Sequence, residues 1–411
     1  MEEFLRSAKE AAGVCSGLTA GEKNRLLLLM ADALEVNTDE IVAENAKDLR
    51  YAKEHNLSNA MIDRLILDEG RIKAMANSIR EIASLKEPVG RILEGWRVQN
   101  GLNIQKVSIP IGVISIIYES RPNVTSDTAA LCFKSSNVCV LKGGKEAQNS
   151  NAVIADILQN VLIENNLPKE IISLLPDATR EGVAKLIKMD EYVDLIIPRG
   201  GEGLIKYVSE NSTIPVVKHD KGLCHVYIDE DADIDKALNI VINSKCRRTG
   251  ICNAMETLLV DVNIASIILG EIKKAYRDYG TLLKGCRRTR ALVEMEEASE
   301  EDFFTEYLDN VLSVKIVDGV DGAIEHIRKY GSGHSESIVT ENYTTGEKFL
   351  DSVDAACVYI NASTQFTDGG EFGFGAEVGI STNKLHARGP MGINDLTTYK
   401  YKIYGNGQIR D

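Results

Sequence analysis

The chain has 411 residues, 44% hydrophobic and 26% charged, a balance that fits a globular protein able to bury two or three cores. Its net charge of −14 leaves no basic stripe for a phosphate backbone, which argues against a nucleic-acid partner. No apolar run approaches the ~18 residues of a membrane helix, and Met1-Glu-Glu-Phe-Leu-Arg6 lacks the basic start and apolar stretch of a secretory leader, so no membrane association and a cytoplasmic location are expected.

The first ninety residues read as helices. Thr19-Ala-Gly-Glu22 fits a capping box ahead of the apolar face Arg25–Leu34. Asn37-Thr-Asp-Glu40 starts another helix with acidic residues in its first turn, and Gly70 to Leu85 is a third amphipathic stretch. The period then changes. Gly95 to Val107 alternates around Asn100-Gly101, which predicts a hairpin with a two-residue turn. An isolated hairpin is marginally stable, so this one is expected to pack on another domain or subunit.

From Pro110 onward, apolar β-rich runs alternate with helical patterns. Gly112–Tyr118, Val138–Leu141, Ile171–Leu175 and Val193–Ile197 read as buried strands, separated by helices near 125–135, 147–164, 178–189 and 201–209. The alternation predicts an α/β fold with parallel strands and right-handed crossovers. A second α/β unit runs from about Val226 to Thr382, and the tail Thr397–Tyr404 alternates like a strand.

Eight cysteines lie scattered without the Cys-x2-Cys pairs of a zinc site, so no metal is expected and they read as reduced thiols. Cys252 stands out. It falls in a turn-like segment between a helical pattern, Asp233–Asn243, and a β-type run, Thr257–Val260, with Arg247 and Arg248 nearby to favour the thiolate. Cys246, six residues earlier, is its rival. Gly200, Gly201 and Gly203 follow the strand ending at Ile197 and open a helix, a turn whose amides suit a pyrophosphate.

Several stretches together resemble the gamma-glutamyl phosphate reductases (glutamate-5-semialdehyde dehydrogenases), a branch of the aldehyde dehydrogenase superfamily. They are Ile117-Tyr-Glu-Ser-Arg-Pro-Asn-Val124, Leu141-Lys-Gly-Gly-Lys145, Ile197-Pro-Arg-Gly-Gly201 and Gly250-Ile-Cys-Asn-Ala-Met-Glu-Thr257, with Val317–Ile338, Asn361–Glu377 and His386–Gly392. One local departure precedes the cysteine, where Arg247-Arg-Thr249 replaces the usual Gln-Arg-Pro.

The resemblance implies a Rossmann-like cofactor domain (1–94 and 109–221), an α/β catalytic domain (222–384) and a small β oligomerisation flap (95–108 and 385–411), hence a homo-oligomer. It implies NADPH-dependent reduction of L-glutamyl 5-phosphate to L-glutamate 5-semialdehyde and phosphate through a cysteine thioester, the second step of proline biosynthesis. An aldehyde dehydrogenase or acyl-phosphate reductase acting on another small substrate is the alternative. Gly-x-Cys-Asn selects Cys252 as nucleophile. Asn123 is the oxyanion donor or, equally, a cap of the following helix. Lys142 is to reach the adenosine ribose, Lys145 replaces the Glu of NAD-preferring members and so selects NADPH, and Glu306 is to hold the nicotinamide ribose. His219 stands where hydrolytic members carry a general-base Glu, which protects the thioester from water. His334 and Glu336 read as loop supports, and Glu119 or Arg121 as grips for the amino-acid end. With no kinase region in the sequence, the labile substrate is expected from a separate glutamate 5-kinase, in transient contact.

Overall fold

The computed structural model describes residues 1–218 and 221–410, so His219 lies outside the described residues. The chain opens with five helices, α1 (Glu2–Gly17), α2 (Ala20–Val36), α3 (Thr38–Glu54), α4 (Asn59–Leu65) and α5 (Glu69–Ser84). A hairpin, β1 (Ile92–Arg97) and β2 (Asn103–Pro110), leads into β3 (Val113–Tyr118), α6 (Asn123–Lys134), β4 (Val138–Lys142), α7 (Gln148–Glu164), β5 (Ile172–Leu174), α8 (Arg180–Leu186), β6 (Leu195–Arg199) and α9 (Glu202–Asn211). The second run is β7 (Cys224–Ile228), α10 (Ile234–Cys246), β8 (Met255–Asp261), α11 (Val262–Arg277), β9 (Leu282–Gly285), α12 (Arg287–Leu292), β10 (Glu296–Glu297), β11 (Val311–Val317), α13 (Gly319–Tyr330), β12 (Ser335–Val339), α14 (Tyr343–Ser352) and β13 (Cys357–Ile360). Short strands β14 (Gly379–Ser381) and β15 (Gly389–Met391) and a long one, β16 (Thr397–Tyr404), close the chain.

Two compact units result, one of residues 1–218, 373–379 and 391–411, the other of residues 219–372 and 380–390. In the first, helix starts follow the sequence signals. Thr19 Oγ1 accepts from the Glu22 amide while the Glu22 carboxylate accepts from the Thr19 amide, the reciprocal cap that satisfies two orphan donors. The parallel sheet of this unit has the order β5-β4-β3-β6. Strands β3 and β4 are buried along their whole length, as continuous apolar runs covered on both faces should be. The strand order reverses between β3 and β6, and crevices for ligands form outside the carboxyl ends at such a reversal.

The hairpin and the tail form one antiparallel sheet of order β1-β2-β16, with Thr397 opposite Pro110 and Tyr404 opposite Asn103. Its turn differs from the two-residue reading. The Gly101 amide donates to the Val98 carbonyl and the Val98 amide to the Leu102 carbonyl, which makes a three-residue loop, Gln99 to Gly101. Gly101 takes the left-handed conformation (φ 89°) that ends such a loop, and Asn100 Oδ1 accepts from the Leu102 amide.

The second unit carries a seven-stranded sheet of order β10-β9-β11-β8-β7-β12-β13, parallel throughout. Its central strands β7, β8 and β12 are wholly buried between α10 with α11 on one side and α13 with α14 on the other. All eight cysteines are thiols, none of them in a disulfide. Among the described residues no helix is long and apolar enough to cross a membrane, and no group of three or more His, Cys, Asp or Glu is arranged to hold a metal ion.

Candidate active site

Because β11, β8, β7 and β12 are consecutive parallel neighbours, the segments that enter them meet along one edge of the sheet. They bring Glu306 to Leu308 (before β11), Cys252 (before β8), Gly222 (before β7) and His334 (before β12) to that edge. It is the amino edge, opposite to the carboxyl edge where crevices of open α/β sheets usually lie.

Cys252 is half-buried in the turn between α10 and β8. Its backbone is gripped from two sides. A Cβ built on Gly222 would stand 1.9 Å from the Cys252 carbonyl oxygen and 2.6 Å from its Cα, so the two backbones touch and only glycine fits. Cys224 Sγ donates to the same carbonyl at 3.2 Å. The Gly222 amide in turn donates to Glu306 Oε1 at 2.9 Å, which ties the Glu306 segment to the Cys252 turn. On the far side of the turn, Asn253 Nδ2 donates to the Thr367 carbonyl (2.9 Å) and Thr364 Oγ1 to the Asn253 carbonyl (2.7 Å). The two arginines are exposed, and Arg247 donates to Gln365 Oε1 at 3.3 Å.

Cys246 has different surroundings. It packs against the core between α10, α11 and β8, its Sγ lies 3.5 Å from Thr281 Oγ1, and burial pushes its thiol above the usual range. Burial also pushes the Cys224 thiol up, which keeps it protonated as a donor to Cys252. Glu336 is fully buried and accepts from both the amide and Nδ1 of His225 at 2.9 Å, while His334 Nδ1 lies 2.8 Å from Ser335 Oγ. Glu336 lies inside β12 and His334 just before it, rather than in a loop.

Of the cofactor residues expected from the sequence, Glu306 belongs to the second unit and Lys142, Lys145, Gly200, Gly201 and Gly203 to the first. Lys142 ends β4 and its Nζ donates to the Ala178 carbonyl at 2.9 Å; burial lowers its pKa, opposed by the nearby carboxylates of Glu146, Asp177 and Glu119. Lys145 follows on an exposed turn. Gly201 caps α9, and nothing lies within 4 Å of a Cβ built on Gly203. Cations and helix-terminal amides gathered beyond the carboxyl ends of β3, β4 and β6 fit an anionic dinucleotide.

Three details here escaped the sequence. The Gly201 amide already donates to Glu119 Oε2 at 2.8 Å, with the same oxygen 2.4 Å from a Cβ built on Gly200, so the Glu119 carboxylate sits on the amides meant for pyrophosphate. Asn123 is the first residue of α6, and its Nδ2 donates to Asp127 Oδ2 at 3.0 Å, a helical i, i+4 contact. Burial raises the Asp127 carboxyl to about 6. Ser120 holds a left-handed backbone (φ 42°), over-determined by its amide and hydroxyl both donating to Glu146 Oε1.

The model of the aldehyde dehydrogenase family matches residues 1–284. The chain is 69% identical to the gamma-glutamyl phosphate reductase of a Nitratiruptor species, over the whole of both chains. It is 66% identical to that of Sulfurimonas denitrificans, again over the whole of both. It is also similar to the crystal structure of gamma-glutamyl phosphate reductase from Thermotoga maritima, with a TM-score of 0.98 and 44% identity, covering 100% of this chain and 99% of that one.

Proposed function

The chain belongs to the aldehyde dehydrogenase family, in the branch of the gamma-glutamyl phosphate reductases, and from that premise we propose that Cys252 is the nucleophile of an NADPH-dependent acyl-phosphate reductase. The reaction converts L-glutamyl 5-phosphate to L-glutamate 5-semialdehyde and phosphate, a step of proline biosynthesis. The family uses a nicotinamide dinucleotide.

In this reading the Cys252 thiolate attacks the acyl-phosphate carbonyl. The tetrahedral oxyanion collapses, the C–O bond to phosphate breaks, and the glutamyl group stays on sulfur as a thioester. A reduced nicotinamide, if bound, would supply the hydride that this carbonyl takes, and cleavage of the C–S bond would then return the thiolate to Cys252. The turn's own amide is one oxyanion donor. Asn123 is the second only if its amide leaves Asp127. Lys142 would bind the dinucleotide, with the amides that open α9 once Glu119 leaves the Gly201 amide, Lys145 would favour a 2′-phosphate by its charge, and Glu306 would take a ribose hydroxyl. The observation that carries this reading is the double grip on Cys252 by Gly222 and Cys224. It fixes the backbone of one half-buried thiol, whereas Cys246, equally half-buried, packs at the edge of the core with its Sγ 3.5 Å from Thr281 Oγ1.

The test is mass spectrometry of quenched turnover mixtures. A glutamyl adduct is expected on Cys252 and none in Cys252→Ala; an adduct on another side chain, or a fully active Cys252→Ala, overturns the assignment.

The semialdehyde then cyclises, its amine being within five-membered-ring reach of the carbonyl. We place the protein in the cytoplasm, as a homo-oligomer joined through the β1-β2-β16 sheet. That sheet leaves Ile92, Trp96, Tyr401, Ile403 and Tyr404 exposed. Light scattering that gave a monomer would remove the oligomer. A transient contact with a glutamate 5-kinase shortens the life of the free acyl phosphate, and absence of co-elution or channelling would count against it.

A further inference from the structure

One charged pair in the catalytic unit takes no part in the chemistry above. Lys245, in the last turn of α10, and Glu256, near the start of β8, are both fully buried, with Nζ 2.7 Å from Oε2. They bracket the turn that carries Cys252. A buried ion pair is no gain in stability over two apolar residues of similar size, because desolvation offsets the attraction. Something other than stability accounts for it here.

The second carboxylate oxygen shows what. Glu256 Oε1 accepts from the Leu308 amide at 3.3 Å, and Leu308 is a non-glycine residue in the left-handed region (φ 51°). That conformation costs energy and persists only where neighbours hold it. Leu308 lies two residues past Glu306, whose Oε1 accepts from Gly222, and Gly222 presses on the Cys252 carbonyl. The contacts therefore form a closed ring: Glu256 to Leu308, Glu306 to Gly222, Gly222 to Cys252, and four residues of chain back to Glu256.

We propose that Lys245 and Glu256 are positioning residues that set the Glu306 arm in register with the Cys252 turn, Lys245 holding the carboxylate in place and Glu256 holding the Leu308 amide. This rests on the roles of Cys252 and Glu306 proposed above. Lys245 Nζ also lies 6.0 Å from the centre of the Tyr307 ring, so the same cation sits near both sides of the junction.

Single variants leave one buried charge unpaired and risk unfolding, so the informative proteins are double variants. Lys245→Met with Glu256→Leu removes the pair and the acceptor for Leu308. Lys245→Met with Glu256→Gln removes the charges and keeps a carbonyl acceptor. Both are expected to melt near the parent temperature. The Leu variant is expected to bind NADPH roughly ten-fold more weakly by fluorescence titration, and to lose about 10²-fold in kcat/KM with KM for the cofactor raised. The Gln variant is expected to recover most of both. Parent-like cofactor affinity and kcat/KM in the folded Leu variant, or equal losses in the two variants, would overturn the proposal. Cys252→Ser, assayed alongside, separates the two readings: if it stays fully active the nucleophile assignment falls, whereas an inactive Cys252→Ser beside a parent-like Leu variant removes only the positioning role.

Discussion

Replacing Gly222 by alanine tests the grip on Cys252 directly. The added Cβ would meet the Cys252 carbonyl oxygen at 1.9 Å, its carbonyl carbon at 2.5 Å and its Cα at 2.6 Å, all backbone atoms that cannot rotate away. Restoring ordinary van der Waals separation needs the turn to retreat by roughly 1.5 Å. Overpacking of this kind costs about 1–3 kcal/mol of stability. A misplacement of about 1 Å at a reacting group costs on the order of 10²-fold in rate, or about 2.7 kcal/mol of transition-state stabilisation. Gly222→Ala is therefore expected to fold with a slightly lower melting temperature and to lose about two orders of magnitude in kcat/KM. The assay follows nicotinamide absorbance in the reverse direction, with semialdehyde, phosphate and NADP, alongside the rate of Cys252 alkylation by iodoacetamide. Gly270→Ala is the control: that glycine is exposed on α11 with nothing within 4 Å of the new methyl, and is expected to be neutral or stabilising by up to about 1 kcal/mol. Turnover of Gly222→Ala within two-fold of the parent, with unchanged alkylation, would show that the contact does not position the sulfur.

Two further outcomes follow from charge. Lys145→Glu should raise KM for NADPH at least ten-fold and shift preference toward NADH, since a carboxylate repels the 2′-phosphate; an unchanged ratio of the two kcat/KM values would remove Lys145 from cofactor selection. His326 is buried, and burial with His225 and Lys315 nearby holds its pKa down to about 2, from an ordinary value of 6.5. The folded state then binds fewer protons than the unfolded one below pH 6.5, so stability is present above that pH and lost as pH falls. Between pH 6.5 and 5 the loss from this one ring is about 2 kcal/mol. Melting curves should show that dependence weakened in His326→Gln, and an identical pH dependence in both proteins would refute the assignment.

Much of this architecture was legible in the sequence for identifiable reasons. Buried parallel strands are continuous apolar runs, so Gly112–Tyr118 and Val138–Leu141 stood out, each within a residue of the strand observed, and the Thr19–Glu22 cap marked the start of α2. The Asn100-Gly101 pair marked a turn but not its length, because a left-handed glycine closes two- and three-residue loops alike. Cys252 stood out by its turn and its neighbours, but the choice of it over Cys246 came from the resemblance in Gly-x-Cys-Asn. Gly222 and Leu308 did not stand out, since adjacency along a sheet edge joins segments tens of residues apart and leaves no local pattern. Glu256 was missed by a boundary: β8 begins at Met255 rather than Thr257, so the carboxylate lies inside the strand, and the only clue was a charge in an apolar run that demands a partner. Glu119 was offered with Arg121 for the amino-acid end of the substrate, and nothing in its neighbours reveals that the end of β3 faces the start of α9.

The amino edge of the seven-stranded sheet has a mechanical consequence. Strand ladders hold the starts of β11, β8, β7 and β12 at fixed spacing, so the sulfur, the Glu306 arm and the glycine that separates them inherit the stiffness of the sheet. Lengthening a connection at the other rim merely enlarges a surface loop. One residue added between Lys245 and Cys252, or between Leu308 and Val311, would instead fall in the short segments that carry the sulfur and the Glu306 arm.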